Sequence, residues 1–220
     1  MRKIILSVIL ITILVLSVFS IYFQSEATAL GAHVVALKLD TGDTAWMIVA
    51  SALVLIMTPG LGFFYGGMVG KKNVISTMLQ SFMAMVIVTV LWVLVGFGLC
   101  FGPSVGGIIG DPSSNVMFNG VNSTTAWELA PTIPFILFAF FQAKFAIITP
   151  ALITGAFAER VRFWAYLLFM VLFILVIYAP LCHMTWHPDG LFFGWGVLDF
   201  AGGTVVHMSA GWAGLAGGGF

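Results

Sequence analysis

Apolar positions in this chain neither alternate nor recur every third or fourth residue; they run on without a break. Charge-free stretches cover 4–23, 45–69, 73–110 and 163–181, and 129–158 carries a single charge, Lys144. Each is long enough to cross the ~30 Å hydrocarbon layer of a bilayer as a helix. Together with the apolar segment that follows Asp199, they predict helices near 45–69, 74–101, 132–158, 163–182 and 199–219, separated by polar, Gly- and Pro-containing connections.

Composition sharpens the picture. The chain is 61% hydrophobic and 7% charged, with mean hydropathy +1.13, where a soluble domain carries about 25% charged residues. Lys+Arg and Asp+Glu balance at 8 each, so no basic face offers itself to nucleic acid. The fold class is an all-α polytopic membrane protein.

The first run has a character of its own. "MRK" is a short basic segment, an apolar stretch follows, and "ATA" at residues 27–29 has the small-residue pattern of a cleavage site. The reading is a signal peptide over 1–29, cleaved after Ala29; a retained anchor helix is the alternative. The body, 30–220, then starts outside the cell. Lys71 and Lys72 follow the first body helix, and Arg160 and Arg162 follow the third. These cations mark the cytoplasmic side, and the loops 102–128 and 183–198 contain no Lys or Arg, as outer loops should. The expected location is the plasma membrane, multi-pass, with the mature N-terminus outside.

Within the outer loop, Asn122-Ser123-Thr124 is a formal glycosylation sequon. Cys100 and Cys182 fall at outer helix ends and read as two small buried apolar residues, with a disulfide as the alternative. The glycines of "GLGFFYGG", with Pro59, read as a kink and close helix packing. The last helix stops flush at "GLAGGGF" with no cation to anchor it, which suggests a truncated reading frame.

Few residues can carry chemistry. Phe141, Phe145 and Thr149 recur at i, i+4 and i+8 on one helix face. They read either as packing aromatics or as an aromatic constriction, since a ring face attracts a cation within ~6 Å. Trp186 reads as an interface anchor or as a third wall of that cage. Lys144, one position before Phe145, would repel a cation and should point away from it. His183 and His187 are spaced like a helical metal pair, yet no third ligand stands at a tight spacing, though Asp189 is close, and they read as an outer-interface pair without a metal. Asp199, in the first turn of the fifth helix, can cap free N–H groups. His207 lies two turns deeper, about 12 Å along the axis, where an imidazole can donate, accept or relay a proton. As a helix, Asp199, Gly203 and His207 would share one face.

"DFAGGTVVHMSAG", "MTPGLGFFYGGMVGKKNV", "FQAKFAIITPALITGAFAERVRF" and "PLCHMTWHPDGLF" resemble the motifs of the ammonium transporter family, the Amt/MEP/Rh proteins, and the similarity runs over 43–220. The resemblance implies a transporter rather than an enzyme, with no cofactor. Its substrate would be ammonium/ammonia, with methylammonium as an analogue. Phe141, Phe145 and Trp186 would form the outer recruitment site, with Phe145 also in the gate below it. Asp199 would be the acidic residue of the fifth helix, and His207 the first of two pore histidines. The family fold has eleven spans in two inverted five-helix halves plus a last helix, so 30–220 corresponds to the first half. The resemblance further implies a homotrimer with a narrow apolar pore in each subunit. The second histidine, the second gate Phe, the recruitment Ser and the tail that binds PII-type regulators would all lie beyond these residues. An ammonium-sensing membrane domain shares every motif and is the main rival. A metalloenzyme using His183, His187 and His207 is a distant third.

Overall fold

The structure, a computed structural model, describes residues 33–218. The expected signal peptide and its cleavage after Ala29 lie outside the described residues, and so does the expected end of the last helix at 219. A short strand β1 (Val34–Ala36) precedes α1 (Thr41–Met68) and α2 (Val74–Phe101), which is π-wound at Trp92–Gly96. The outer loop holds β2 (Ser104–Val105), β3 (Ile109–Gly110), a 3-10 turn Val116–Phe118 and β4 (Thr125–Trp127). Then come α3 (Phe135–Phe157) and α4, assembled from Phe163–Phe173, a π-wound turn Ile174–Tyr178 and Ala179–Trp186. A single turn, α5 (Leu191–Gly194), leads to α6, which begins π-wound over Gly203–Met208 and continues as Ser209–Gly218.

Among the described residues, four helices are long and apolar enough to cross a membrane. The fifth predicted segment forms α6, which starts at Gly203 rather than at 199. Helix ends follow local chemistry more than hydropathy. The Asp40 side chain accepts from the Asp43 N–H at 2.8 Å, and Thr44 Oγ1 donates to the Asp40 carbonyl at 2.7 Å, which starts α1 four residues earlier than its apolar run. The π-wound turn in α4 ends two residues before Pro180, whose ring removes an N–H and crowds the carbonyl four residues back, inside that turn. Proline does not always break the ladder: α1 continues through Pro59 and α3 through Pro150.

α3 packs against α1, α2 and α6, and α2 also packs against α4. The core is correspondingly α3-centred: Ala139, Ala143, Ala146, Ile147, Ala151 and Ile153 are all buried. Small residues let the helices approach where hydrocarbon gives no hydrophobic drive. A Cβ on Gly66 of α1 would stand 2.7 Å from Met78 Cγ of α2, so the close packing read from "GLGFFYGG" is present. By contrast α1 leaves Trp46, Phe63, Phe64 and Met68 exposed, an apolar surface suited to lipid or to another polypeptide. Cys100 and Cys182 are free and buried.

The connections sort into two ends. At the basic end, short turns carry Lys71, Lys72, Arg160 and Arg162. Glu159, at φ 65°, accepts from the Gly70 N–H at 2.7 Å and from Asn73 Nδ2 at 3.0 Å, tying the α1–α2 turn to the α3–α4 turn. At the loop end, β1 pairs antiparallel with β4, Val34 opposite Trp127, and β2 pairs with β3. The Asn122 side chain closes its own turn, accepting from the Thr124 and Thr125 N–H groups at 2.8 and 2.9 Å.

Candidate substrate-admitting site

The loop end encloses a cavity of about 380 Å³. Phe141, Phe145 and Trp186 line it together, and the residues from Asp199 to Gly202 close one side. Helix α3 supplies the two phenylalanines one turn apart; their rings meet edge to face with centroids 5.0 Å apart. Trp186, the last residue of α4, meets Phe145 edge to face at 6.2 Å. The three rings border one space, and an aromatic face carries the negative part of the ring quadrupole. Of the residues singled out in the sequence, these three and Asp199 come together.

Asp199 is held in place by its own helix. Its Oδ1 accepts from the Gly202 and Gly203 N–H groups at 2.6 and 2.8 Å, and its Oδ2 accepts from Thr204 and Val205 at 2.8 and 3.0 Å. The carboxylate thus occupies the unpaired N–H groups at the start of α6. Its backbone carbonyl accepts from Trp186 Nε1 at 3.2 Å, which fixes the indole at the cavity wall. Gly202 makes this cap achievable. It sits at φ 82°, and a Cβ there would come within 2.8 Å of Val206 Cγ2.

One reading of the sequence needs correction. Asp199 precedes α6 instead of lying in its first turn, so Asp199, Gly203 and His207 do not form one helical face. The reason is the cap itself: a carboxylate that binds four successive N–H groups must lie beyond the helix end. His207 does not line the cavity. It is exposed on α6, and no group among the described residues hydrogen-bonds its ring. The histidine pair at the end of α4 does not have the geometry of a shared metal ligand. His183 is fully buried, with Nδ1 2.9 Å from the Cys100 carbonyl and Nε2 2.8 Å from Ser104 Oγ. Both its nitrogens are engaged, and its ring stacks on His187 at 4.3 Å instead of converging on a shared ligand.

Lys144 points away from the cavity, as its charge requires: Nζ lies 5.3 Å from the Phe140 ring, and Phe140 is exposed. The cavity also has walls that sequence reasoning missed, Phe101, Trp127, Phe138 and Gln142 among them. The first three read as ordinary core aromatics. Gln142 follows Phe141 directly, and its Oε1 is buried without a hydrogen-bond partner. A polar residue in a nearly charge-free helix is the signal that could have marked it.

Helical hairpins with long apolar spans, joined at one end by short basic turns and capped at the other by a folded loop, define a polytopic α-helical membrane protein. The family model of the Ammonium Transporter Family matches residues 45–219, and the chain belongs to that family. It is 44% identical over 209 residues to an ammonium transporter of Aquifex aeolicus (strain VF5), covering 93% of this chain and 45% of that one. The crystal structure of Saccharomyces cerevisiae Mep2 superposes with a TM-score of 0.72 at 34% identity, over 81% of this chain and 40% of the yeast chain. A structure described as a sensor Amt protein gives 0.70 at 32% identity, over 78% of this chain and 42% of the other. The chain spans less than half the length of each.

Proposed function

We propose that this chain forms the first half of an ammonium transporter, residues 30–220 being its N-terminal five-helix half, and that its loop-end cavity is where the ion enters. The observation that carries the proposal is the convergence of Phe141, Phe145 and Trp186 on one cavity that also holds the unpartnered Gln142 Oε1. Ammonium arriving there exchanges part of its hydration for aromatic faces and for an amide oxygen that can accept one of its N–H bonds. Asp199 acts through the field of its carboxylate rather than as a direct ligand, because its oxygens are already occupied by four N–H groups. Below the cavity, His207 faces the space that the rest of the transporter fills and serves as a pore histidine, exchanging a proton with the substrate. Potassium, which cannot deprotonate, is excluded by the apolar lumen beyond.

In this reading the loop end is extracellular and the basic end cytoplasmic, the protein sits in the plasma membrane, and the transporter works as a homotrimer open to control by a PII-type regulator. An ammonium-sensing membrane domain is the second reading, favoured by the likeness to a sensor Amt structure. The deciding experiment is methylammonium uptake and ammonium current in membranes holding the full-length protein, with Trp186→Leu beside wild type. Loss of a cation–π face is worth about 0.5–2 kcal/mol, so the half-saturation should rise roughly 2- to 30-fold while the maximal rate holds. Unchanged half-saturation would return Trp186 to an interface anchor. Saturable ammonium binding without any current would favour the sensor.

A further inference from the structure

His33, at the head of β1, lies 156 residues before Asp189 in the chain, yet its Nε2 is 2.7 Å from Asp189 Oδ2. The ring of His187 packs edge-on against His33 with centroids 4.9 Å apart. One ring nitrogen of each histidine and one carboxylate oxygen of Asp189 all lie within 4.8 Å of one another. We infer that His33, His187 and Asp189 form a divalent metal site on the loop end, of the kind that takes zinc.

The donor set suits that ion. Two imidazoles and one carboxylate match the borderline-soft preference of Zn²⁺, and three protein ligands leave a fourth position for water. Tetrahedral donors at ~2.0–2.2 Å from zinc stand about 3.3–3.5 Å from each other, so the 2.7 Å His33–Asp189 contact must open by about 0.6–0.8 Å and the widest pair, at up to 4.8 Å, must close by up to about 1.5 Å. Asp189 can give way, since its side chain is 58% exposed, and the same exposure provides an entry path. His187 is held by its buried position; its Nδ1 accepts from the Asp189 N–H at 3.1 Å, a bond that gives way on ligation, whether Nδ1 binds the metal itself or takes the proton that leaves Nε2. Glu128 supports the third ligand. Its Oε2 stands 2.9 Å from His33 Nδ1, off the N–H axis and so an ion contact rather than an aligned hydrogen bond. A carboxylate beside the second nitrogen of a ligating histidine favours the proton there and leaves Nε2 for the metal.

The metal site joins three parts of the fold: β1, the end of α4 and, through Glu128, the residue after β4. Occupation therefore straps the N-terminal strand to the outer cap. Trp127, which lines the cavity, packs at 5.8 Å from the His33 ring and at 5.5 Å from His187, so the strap bears on one wall of the entry site. Binding displaces any proton on Nε2 into solvent. None of this depends on the transport reading, because zinc binding is measured without substrate.

The test is calorimetric titration of ZnCl₂ into chelator-treated, purified full-length protein, with parallel thermal melts. Wild type should take up zinc saturably at one ion per subunit and melt at a higher temperature with zinc than without. His33→Ala and Asp189→Asn should each weaken binding at least about tenfold, and Glu128→Gln by roughly tenfold. Metal-free melts of the same variants report whether the cap still folds. His207→Ala should bind zinc as wild type does. Absence of saturable binding in wild type would overturn the site, as would undiminished affinity in a folded His33→Ala/Asp189→Asn double variant. Loss of binding on changing His207 in place of His33 would do the same.

Discussion

The two ends of the helical bundle solve the same problem with different means. At the basic end, two turns of a few residues each are joined by a single exposed carboxylate, Glu159, reaching Gly70 and Asn73. At the loop end, more than thirty residues fold into paired strands, a stacked aromatic cluster and a cavity. There several charged or polar groups have fixed partners: Asp199 holds four N–H groups, His183 two acceptor or donor atoms, and His33 two carboxylates, while Gln142 Oε1 in the cavity is left without one. A connection needs only to turn the chain. A surface that admits a cation, the role proposed for the loop end, has to hold ring faces and a carboxylate in register without mobile charge nearby, and this takes a second layer of hydrogen bonds.

The comparison breaks most visibly at Asp199. Truncation to Ala removes the partner of four N–H groups at once. Charge-assisted bonds contribute roughly 1.5–3 kcal/mol each, but water and fraying recover part, so we expect a loss of about 3–5 kcal/mol. The start of α6 should fray and release the Trp186 indole. Asp199→Asn keeps one acceptor oxygen and should fall between. Thermal melts of detergent-solubilised full-length protein, with indole fluorescence as a second probe, measure both. An Ala variant that melts like wild type would mean the cap is dispensable and the loop end is held by its aromatic packing alone.

His207 sharpens the comparison from the other direction, because it belongs to neither end and its ring has no hydrogen-bond partner among the described residues. His207→Ala should therefore change stability by less than about 0.5 kcal/mol. If it relays protons in the full transporter, current should drop on the order of 10²-fold. Electrophysiology with the amount of folded protein in the membrane checked separates the two effects. A large loss of stability with unchanged current would make it a packing residue.

How much of this was legible follows from what each feature depends on. The apolar runs placed four spans within a few residues, because membrane depth imposes a length on any helix that crosses it. The caps were not visible to hydropathy: Asp40 extends α1 toward the N-terminus, while Asp199 shortens α6 from the same side of its own helix. Phe141 and Phe145 were readable from their four-residue spacing, and Trp186 as an interface anchor or a third wall of the same cage, a choice that its residue type alone could not make. Trp127 and Phe138 looked like any buried aromatics, since nothing local distinguishes a cavity wall from a core. The pairing of His33 with Asp189 was beyond reach, because β1–β4 register, not spacing, brings residue 33 to the end of α4.

The smallest expected effect lies at the basic end. Glu159 is fully exposed, and its acidity is strengthened first by Asn73 Nδ2 and then by the Gly70 N–H, both of which donate to the ionised carboxylate. A carboxyl whose folded pKa lies below its unfolded value of 4.5 adds stability that is complete above that pH and lost as pH falls through the folded value. Glu159→Gln retains an acceptor oxygen but no charge, so it should cost a little at neutral pH and nothing further in acid. The melting-temperature gap between wild type and Glu159→Gln should therefore be widest at pH 7 and close as the pH drops below 4.5. Solvent screens so exposed a pair, and raising the salt at pH 7 should narrow the gap as well. A gap that stays constant with both pH and salt would show that the tie between the two turns is steric, set by the φ of 65° that residue 159 adopts, and that the basic end needs no electrostatic partner at all.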